Sequence, residues 1–230
     1  VDSKPKRWLN NLGLVAIDNL ILQLGFIMLP VTFAAFAQAK GMGIFNLLEM
    51  PVWANWIATV IIFDFIIYLQ HVLFHFVPTL WRLHQVHHSD LDIDVTTAIR
   101  FHPIEIILSI FIKLTAVAAF GFSPGAVLAF EIILNATAMF NHANIFIPGP
   151  IDRFIRLFLV TPDMHRVHHS VIMKESNSNF GFSLSWWDRI CGTYQAQPAA
   201  GHDGMVIGLK QYKNPKSLIQ LLIMPFTKSS

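Results

Sequence analysis

Four long apolar stretches, residues 14–37, 52–77, 104–122 and 126–147, are separated by short polar connections. A helix crossing the hydrocarbon core needs about 20 apolar residues, so the pattern predicts four transmembrane helices. Only "SPG" (123–125) joins the third to the fourth, which forces a helical hairpin. Pro30 is expected to kink the first, and "QAKGMGIFNLLEM" (38–50) to dip into the interface. Two further segments, "IDRFIRLFLV" (151–160) and "NPKSLIQLLIMPF" (214–226), read as amphipathic and suited to lying in the membrane surface. Pro215 marks the expected start of the second. Between them, 174–194 is loop-like and aromatic-rich.

Composition sharpens this picture. The chain has 230 residues, 54% of them hydrophobic, and only 13% are charged. About 25% is usual in soluble domains, and mean hydropathy is +0.52. A net charge of +2 argues against a nucleic-acid partner. With alternating crossings, every lysine and arginine except Lys40 and Lys113 falls on the side of the N-terminus, which by the positive-inside rule is cytosolic. The expected fold is an all-α integral membrane domain of about four transmembrane helices with a cytosolic histidine-rich helical cap. It forms one unit over 1–230, with a core at about 52–208 and an interfacial segment at 209–230. The N-terminus carries no cleavable signal pattern and no starting Met, and is expected to be trimmed or a fragment's.

The unusual ratio is eleven histidines to one cysteine, Cys191. Metal chemistry here must be imidazole chemistry. "WRLHQVHHSD" and "DMHRVHHSV" each contain H-x-x-H-H: His84, His87, His88 and His165, His168, His169. Residues at i, i+3 and i+4 share a helix face, so each copy is expected to present three imidazoles together. His71 and His75 form an i, i+4 pair at the end of the second stretch, and His142 closes the fourth. His102, in "RFHPIE" at the start of the third, is a further candidate, whereas His202 reads as an ordinary loop residue. Nine imidazoles exceed the four to six ligands of one ion and argue for two. Imidazole suits iron, zinc, copper and nickel alike.

H-x-x-x-H and the two H-x-x-H-H motifs, with "RFHPIE", "NHAN" and "SNSNFG…WWDRICGTY", resemble the fatty acid hydroxylase/sterol desaturase superfamily of membrane di-iron oxygenases, in particular its sterol-desaturase-like members. The resemblance covers roughly 52–208 with every histidine motif complete; the first stretch is generic. It implies that His71, His75, His84, His87, His88, His142, His165, His168 and His169 ligate two iron ions, and that O2 is the cosubstrate. It also implies hydroxylation or desaturation of a lipid C–H bond in a sterol, fatty acyl chain or related lipid. An all-imidazole site would also accept zinc. No side chain supplies such oxidation, and the chain has no G-x-G-x-x-G for a nicotinamide or flavin. A separate reductase or small electron carrier is therefore expected on the cytosolic face, where Arg153, Arg156, Arg166, Lys174 and Arg189 offer a basic patch. Glu105, Asp163, Asn144, Asn177, Asn179 and Asp188 lie near the motifs and are candidates to orient the imidazoles or add a ligand.

Inside the stretches, Lys113, Glu131 and Asp64 each lie eleven residues from a histidine (His102, His142 and His75), and Asp18 lies eleven beyond Arg7. At 1.5 Å per residue these four would share a layer about 16 Å from the histidines. Intramembrane ionisable groups pair or line a cavity. Lys113 is expected to pair with Glu131 across the hairpin, with Asp64 or Asp18 nearby, either locking the helices or forming the far end of a substrate tunnel. The alternative from another class is a bis-histidine haem protein for electron transfer. His71/His84 and His75/His88 are each thirteen apart, though Pro78 interrupts that helix and the 165–169 cluster is then unexplained. A metal transporter would need ligands along the spans. A zinc hydrolase would need a general base such as that of H-E-x-x-H.

Overall fold

A computed structural model describes residues 4–25, 27–48 and 50–227. The outermost residues of the basic N-terminal segment (1–3) and of the C-terminal segment (228–230) lie outside them. The described chain is helical: α1 (Lys4–Leu24), α2 (Pro30–Ala39), α3 (Val52–Phe76), α4 (Pro78–His88), α5 (Pro103–Phe120), α6 (Pro124–Asn141), α7 (Gly149–Ile155) and α8 (Pro162–His168). The shorter α9 (Met173–Ser176), α10 (Trp186–Ile190), α11 (Gly201–Gly204) and α12 (Leu218–Ile223) follow. Among the described residues there is no β-strand, only the isolated bridges Leu159–Leu184 and Ser170–Ile207.

Proline sets most of the helix starts. α2, α4, α5, α6, α7 and α8 all carry it in the first turn, where its missing N–H costs nothing and its fixed φ suits the helix. Pro78 also ends α3, because the residue before a proline is pushed out of the helical region. Val77 is extended and serves as both the C-cap of α3 and the N-cap of α4. That reversal lays α4 back against α3 and brings the two histidine helices together.

Among the described residues three helices, α3, α5 and α6, are long and apolar enough to cross a membrane. The first apolar stretch is instead divided: α1 ends at Leu24, and Pro30 opens a separate ten-residue helix rather than kinking a continuous one. The last stretch stops as helix at Asn141, so 143–147 leave the bundle with Ile145 and Phe146 exposed. The two pieces of the first stretch still connect opposite ends of the molecule. Arg7 on α1 bonds Asp90 beyond the histidine end of α4, whereas Gly43, just after α2, meets Gly121 at the other end of α5. Both glycines have positive φ, and a Cβ on either would collide with the other loop's backbone.

In lipid, helices gain little from burying apolar surface and associate mainly through packing. Ala34 and Ala37 of α2 lie fully buried against Val117, Phe122 and Val127. Phe63 stacks on Phe130 at 4.7 Å and tilts against Phe122 at the same distance. At the histidine end the glue is polar. Arg7 bonds Asp90 at 2.8 Å, Asp94 at 3.1 Å and Asp92. Arg100 donates to Val86 O, Asn11 and Ser89. Together they tie α1 and the 89–100 loop to the back of α4.

The amphipathic C-terminal segment starts later than Pro215 suggests. Ser217 and Gln220 form a reciprocal capping box, and α12 buries Leu221 while exposing Ile219. On 151–160, Ile151, Phe154, Leu157 and Phe158 are exposed, but Arg156 is not at a polar edge. It is buried against Asp152, Thr161 and the Ala196 carbonyl.

Candidate metal centre

Nine histidines from four helices and their caps converge at one end of the bundle. Their ring nitrogens form two groups, each with all ligand atoms within 4.8 Å of one another: His71, His75, His84, His88 and His168, and His87, His142, His165 and His169. All nine are buried.

The H-x-x-H-H motifs do not present three imidazoles to one place. His84 and His88 go to the first group and His87 to the second; His165 and His169 go to the second and His168 to the first. The helix period explains the split. Residues four apart differ by about 40° around the axis and residues three apart by about 60° in the opposite sense, so they diverge by roughly 100°. Each motif therefore gives an i, i+4 pair to one group and a single ring to the other, which interlocks the two helices.

The tautomers are held from outside. His71 Nδ1 bonds Phe180 O at 2.7 Å, His84 Nδ1 bonds Glu105 at 2.6 Å, His168 Nδ1 bonds Ser178 O at 2.8 Å and His142 Nδ1 bonds Ala138 O at 2.7 Å. His75 Nδ1 faces Asn177 Oδ1 at 3.3 Å. Each acceptor takes the Nδ1 proton of a neutral ring and leaves an Nε2 lone pair pointing inward. Burial drives His84 down to about 3 and His142 to about 4. Burial, then the neighbouring imidazoles, takes His87, His88, His165, His168 and His169 well below the ordinary range.

This arrangement fits metal ions. His71 Nε2 and His84 Nε2 stand 3.1 Å apart with both protons committed at Nδ1, so two lone pairs face each other without a hydrogen between them. In the second group His142 Nε2, its proton held at Nδ1, accepts from or faces Nε2 of His87, His165 and His169 at 3.2, 3.0 and 3.2 Å. A metal about 2.1 Å from each nitrogen would separate adjacent ligands by roughly 3.0 Å at right angles and about 3.4 Å at the tetrahedral angle. The observed spacings fall in that interval. His168 Nε2 is buried without a hydrogen-bond partner beside them. Axial haem ligands would need their nitrogens about 4 Å apart on either side of a macrocycle, so the ring pairs are too close to flank a porphyrin.

The remaining candidates divide. Glu105 reaches His84 directly. Asp188 acts one step removed: it accepts from the backbone N–H groups of Phe180 and Gly181 and so fixes the segment whose carbonyl holds His71. Burial raises Asp188 to about 6, against the pull of those hydrogen bonds. His102 lies outside both groups, because its ring caps α5 through Ile104 N and reaches Leu222 O. Asn144 and Asp163 face Arg166. Asn179 braces the backbone of Met164 and Gln195 from a left-handed conformation. None of these four touches a metal-group ring. The basic patch is likewise mostly committed, since Arg156, Arg166 and Arg189 all bond within the fold. Asp90 and Arg100 brace the site without being marked by any histidine motif; the signal for Asp90 is the alternating acids of "DLDID" (90–94), separated only by Ser89 from the first H-x-x-H-H.

Of the intramembrane layer, Lys113 and Glu131 pair at 2.7 Å. Asp64 does not join them. It accepts from Leu184 N and Trp187 Nε1, because the 180–187 segment runs down beside α3. A cavity of about 320 Å³ connects the two layers, with His71, His84 and Glu105 in its wall as well as Asp18, Lys113 and Glu131.

The fatty acid hydroxylase family matches residues 56–193, which includes all nine histidines. The ornithine lipid hydroxylase OlsE of Rhizobium tropici is 29% identical over 78% of this chain and 53% of its own length. Human alkylglycerol monooxygenase is 33% identical over 67% of this chain and 33% of its own. A very-long-chain aldehyde decarbonylase of rice is 25% identical over 77% of this chain and 67% of its own. The chain thus spans about half the length of the first relative and a third of the second. No solved structure matches it. The family's residues, the two converging histidine groups and three membrane-length helices agree, and the chain belongs to the fatty acid hydroxylase family.

Proposed function

We propose that this chain hydroxylates a lipid at a di-iron centre, one iron held by His71, His75, His84, His88 and His168 and the other by His87, His142, His165 and His169. The observation that carries the reading is the approach of buried Nε2 atoms to 3.0–3.2 Å in both groups, with the opposed lone pairs of His71 and His84 committed inward by their Nδ1 partners. Iron, when bound, supplies the activation of O2 and the oxidation of an unactivated C–H bond. The protein's part is to keep the nine rings neutral, fix their tautomers through Glu105, Asn177 and backbone carbonyls, and offer a cavity that touches His71 and His84. Overall, a C–H bond and O2 with two electrons and two protons give an alcohol and water. The electrons come from a separate reductase or small carrier. With the positive-inside count, the histidine end faces the cytosol, and the whole chain acts as one membrane-embedded domain.

Two of the relatives are named for ornithine lipids and alkylglycerols, and we extend that to this chain as a lipid bearing a polar headgroup. Iron-loaded protein in lipid discs, given a reductant and isotopically labelled O2, should add one labelled oxygen atom to an ornithine lipid or alkylglycerol. Iron-free protein should add none. Equal product with and without iron would defeat the proposal.

A further inference from the structure

The cavity wall is mostly apolar, but it carries polar groups that hydrocarbon alone would not need. Away from the histidines it carries Asp18, Gln70, Ser109, Lys113 and Glu131. Among the described residues it holds three carboxyl groups, Asp18, Glu105 and Glu131, and one ammonium, Lys113. Glu131 has Lys113 and Glu105 has the His84 N–H. Asp18 has neither. It is only 7% exposed, and its Oδ1 is buried without a hydrogen-bond partner. A buried polar atom left unpaired costs roughly 1–3 kcal/mol, and more when it is charged, so a static helix lock does not explain it. Lys113 completes such a lock with Glu131 alone.

The setting of Asp18 points to a ligand. Asn19 beside it on α1 and Asn135 on α6 line the same cavity and are exposed, so the cavity opens sideways between these helices. Lys113 is eight residues along α5 from Glu105, about 12 Å at 1.5 Å per residue. The polar end of the cavity and the imidazole end are thus one short lipid segment apart.

We propose that Asp18, in the cavity wall within electrostatic reach of Glu105, forms a subsite for a hydrogen-bond-donating headgroup, a hydroxyl or an amine, on the lipid that enters this cavity. The donor reaches Asp18 Oδ1, and a lipid that ends in a carboxylate brings no donor to it. This proposal rests on the lipid-hydroxylase reading, and it makes Asp18 a specificity-determining residue, not a metal ligand.

The test uses the full chain, metal-loaded, in lipid discs, with four probes of equal length: hexadecanol, hexadecylamine, hexadecanoic acid and hexadecane. Binding is corrected for partition into empty discs, and metal per chain is measured on the same samples. The wild type should bind the alcohol and the amine about tenfold more tightly than the acid or the hydrocarbon. Asp18→Asn should lose about tenfold for the amine, largely keep the alcohol and retain its metal. If hexadecane or hexadecanoic acid binds the wild type as tightly as the alcohol, the subsite is overturned, whether or not the variant folds. A metal-replete D18N that binds all four probes as the wild type does overturns it too. If the wild-type preference is present in a protein whose histidine groups take up no metal, the subsite stands and the hydroxylase reading falls.

Discussion

The two histidine groups are built from the same motifs but held differently. In the first, four of five rings have an Nδ1 partner: Phe180 O, Asn177, Glu105 and Ser178 O. In the second only His142 does, through Ala138 O, while Nδ1 of His87, His165 and His169 has no partner. Outer partners fix ring orientation and raise ligand basicity, and their loss typically costs 10–100-fold in metal affinity or activity. The first group is therefore the preorganised site and the second the adaptable one, and the second should release its metal first.

The largest expected effect comes from the ligands themselves. His168→Ala should abolish lipid oxidation and remove the metal of the first group, and His165→Ala should do the same for the second, each leaving about one metal per chain by elemental analysis. If either variant loses both metals, the groups are one coupled unit and the contrast fails. Next is Glu105→Gln, which keeps an acceptor for the His84 N–H but removes its charge. It should weaken metal in the first group by about tenfold to a hundredfold while sparing the second, as titration with a competing chelator would show.

Acid should act on both groups. Because burial holds His84 at about 3 and His142 at about 4, against about 6.5 in an unfolded chain, the unfolded state binds more protons between those values. The stability these neutral rings contribute is complete above about pH 6.5 and declines as pH falls toward their folded values. Metal should leave the folded protein only as pH approaches those folded values, the second group first, whereas the thermal midpoint should already fall as pH drops below about 6.5. A flat profile would show that the rings are not held neutral. The smallest effect is expected at Asn144→Ala, on a surface contact with Arg166. It should shift stability by no more than about 0.5 kcal/mol and leave metal content unchanged in both groups.

The same contrast shows what a sequence can carry. His71, His75, His84 and His88 were legible as candidates because i, i+4 spacing and a proline-driven reversal need only the helix period. The Lys113–Glu131 pair was legible because both sit at matching depths on a tight hairpin. The crossing-over of His87 and His168 was not, since a shared face is a coarse statement and 100° decides which ion a ring meets. Nor was the bonding of Asp64. Its partners come from 184 and 187, in a non-periodic segment whose path along α3 depends on Asp188, Asn179 and the backbone they hold. The division of the first stretch at residues 25–29 was likewise hidden, because its apolar run continues through the break.

The most direct test of the central claim is metal stoichiometry with an optical spectrum on detergent-purified protein grown in ample iron. The account predicts about two metals per chain, falling to one in His165→Ala, with no porphyrin band. A haem spectrum, or a single metal lost equally on substitution in either group, would contradict it.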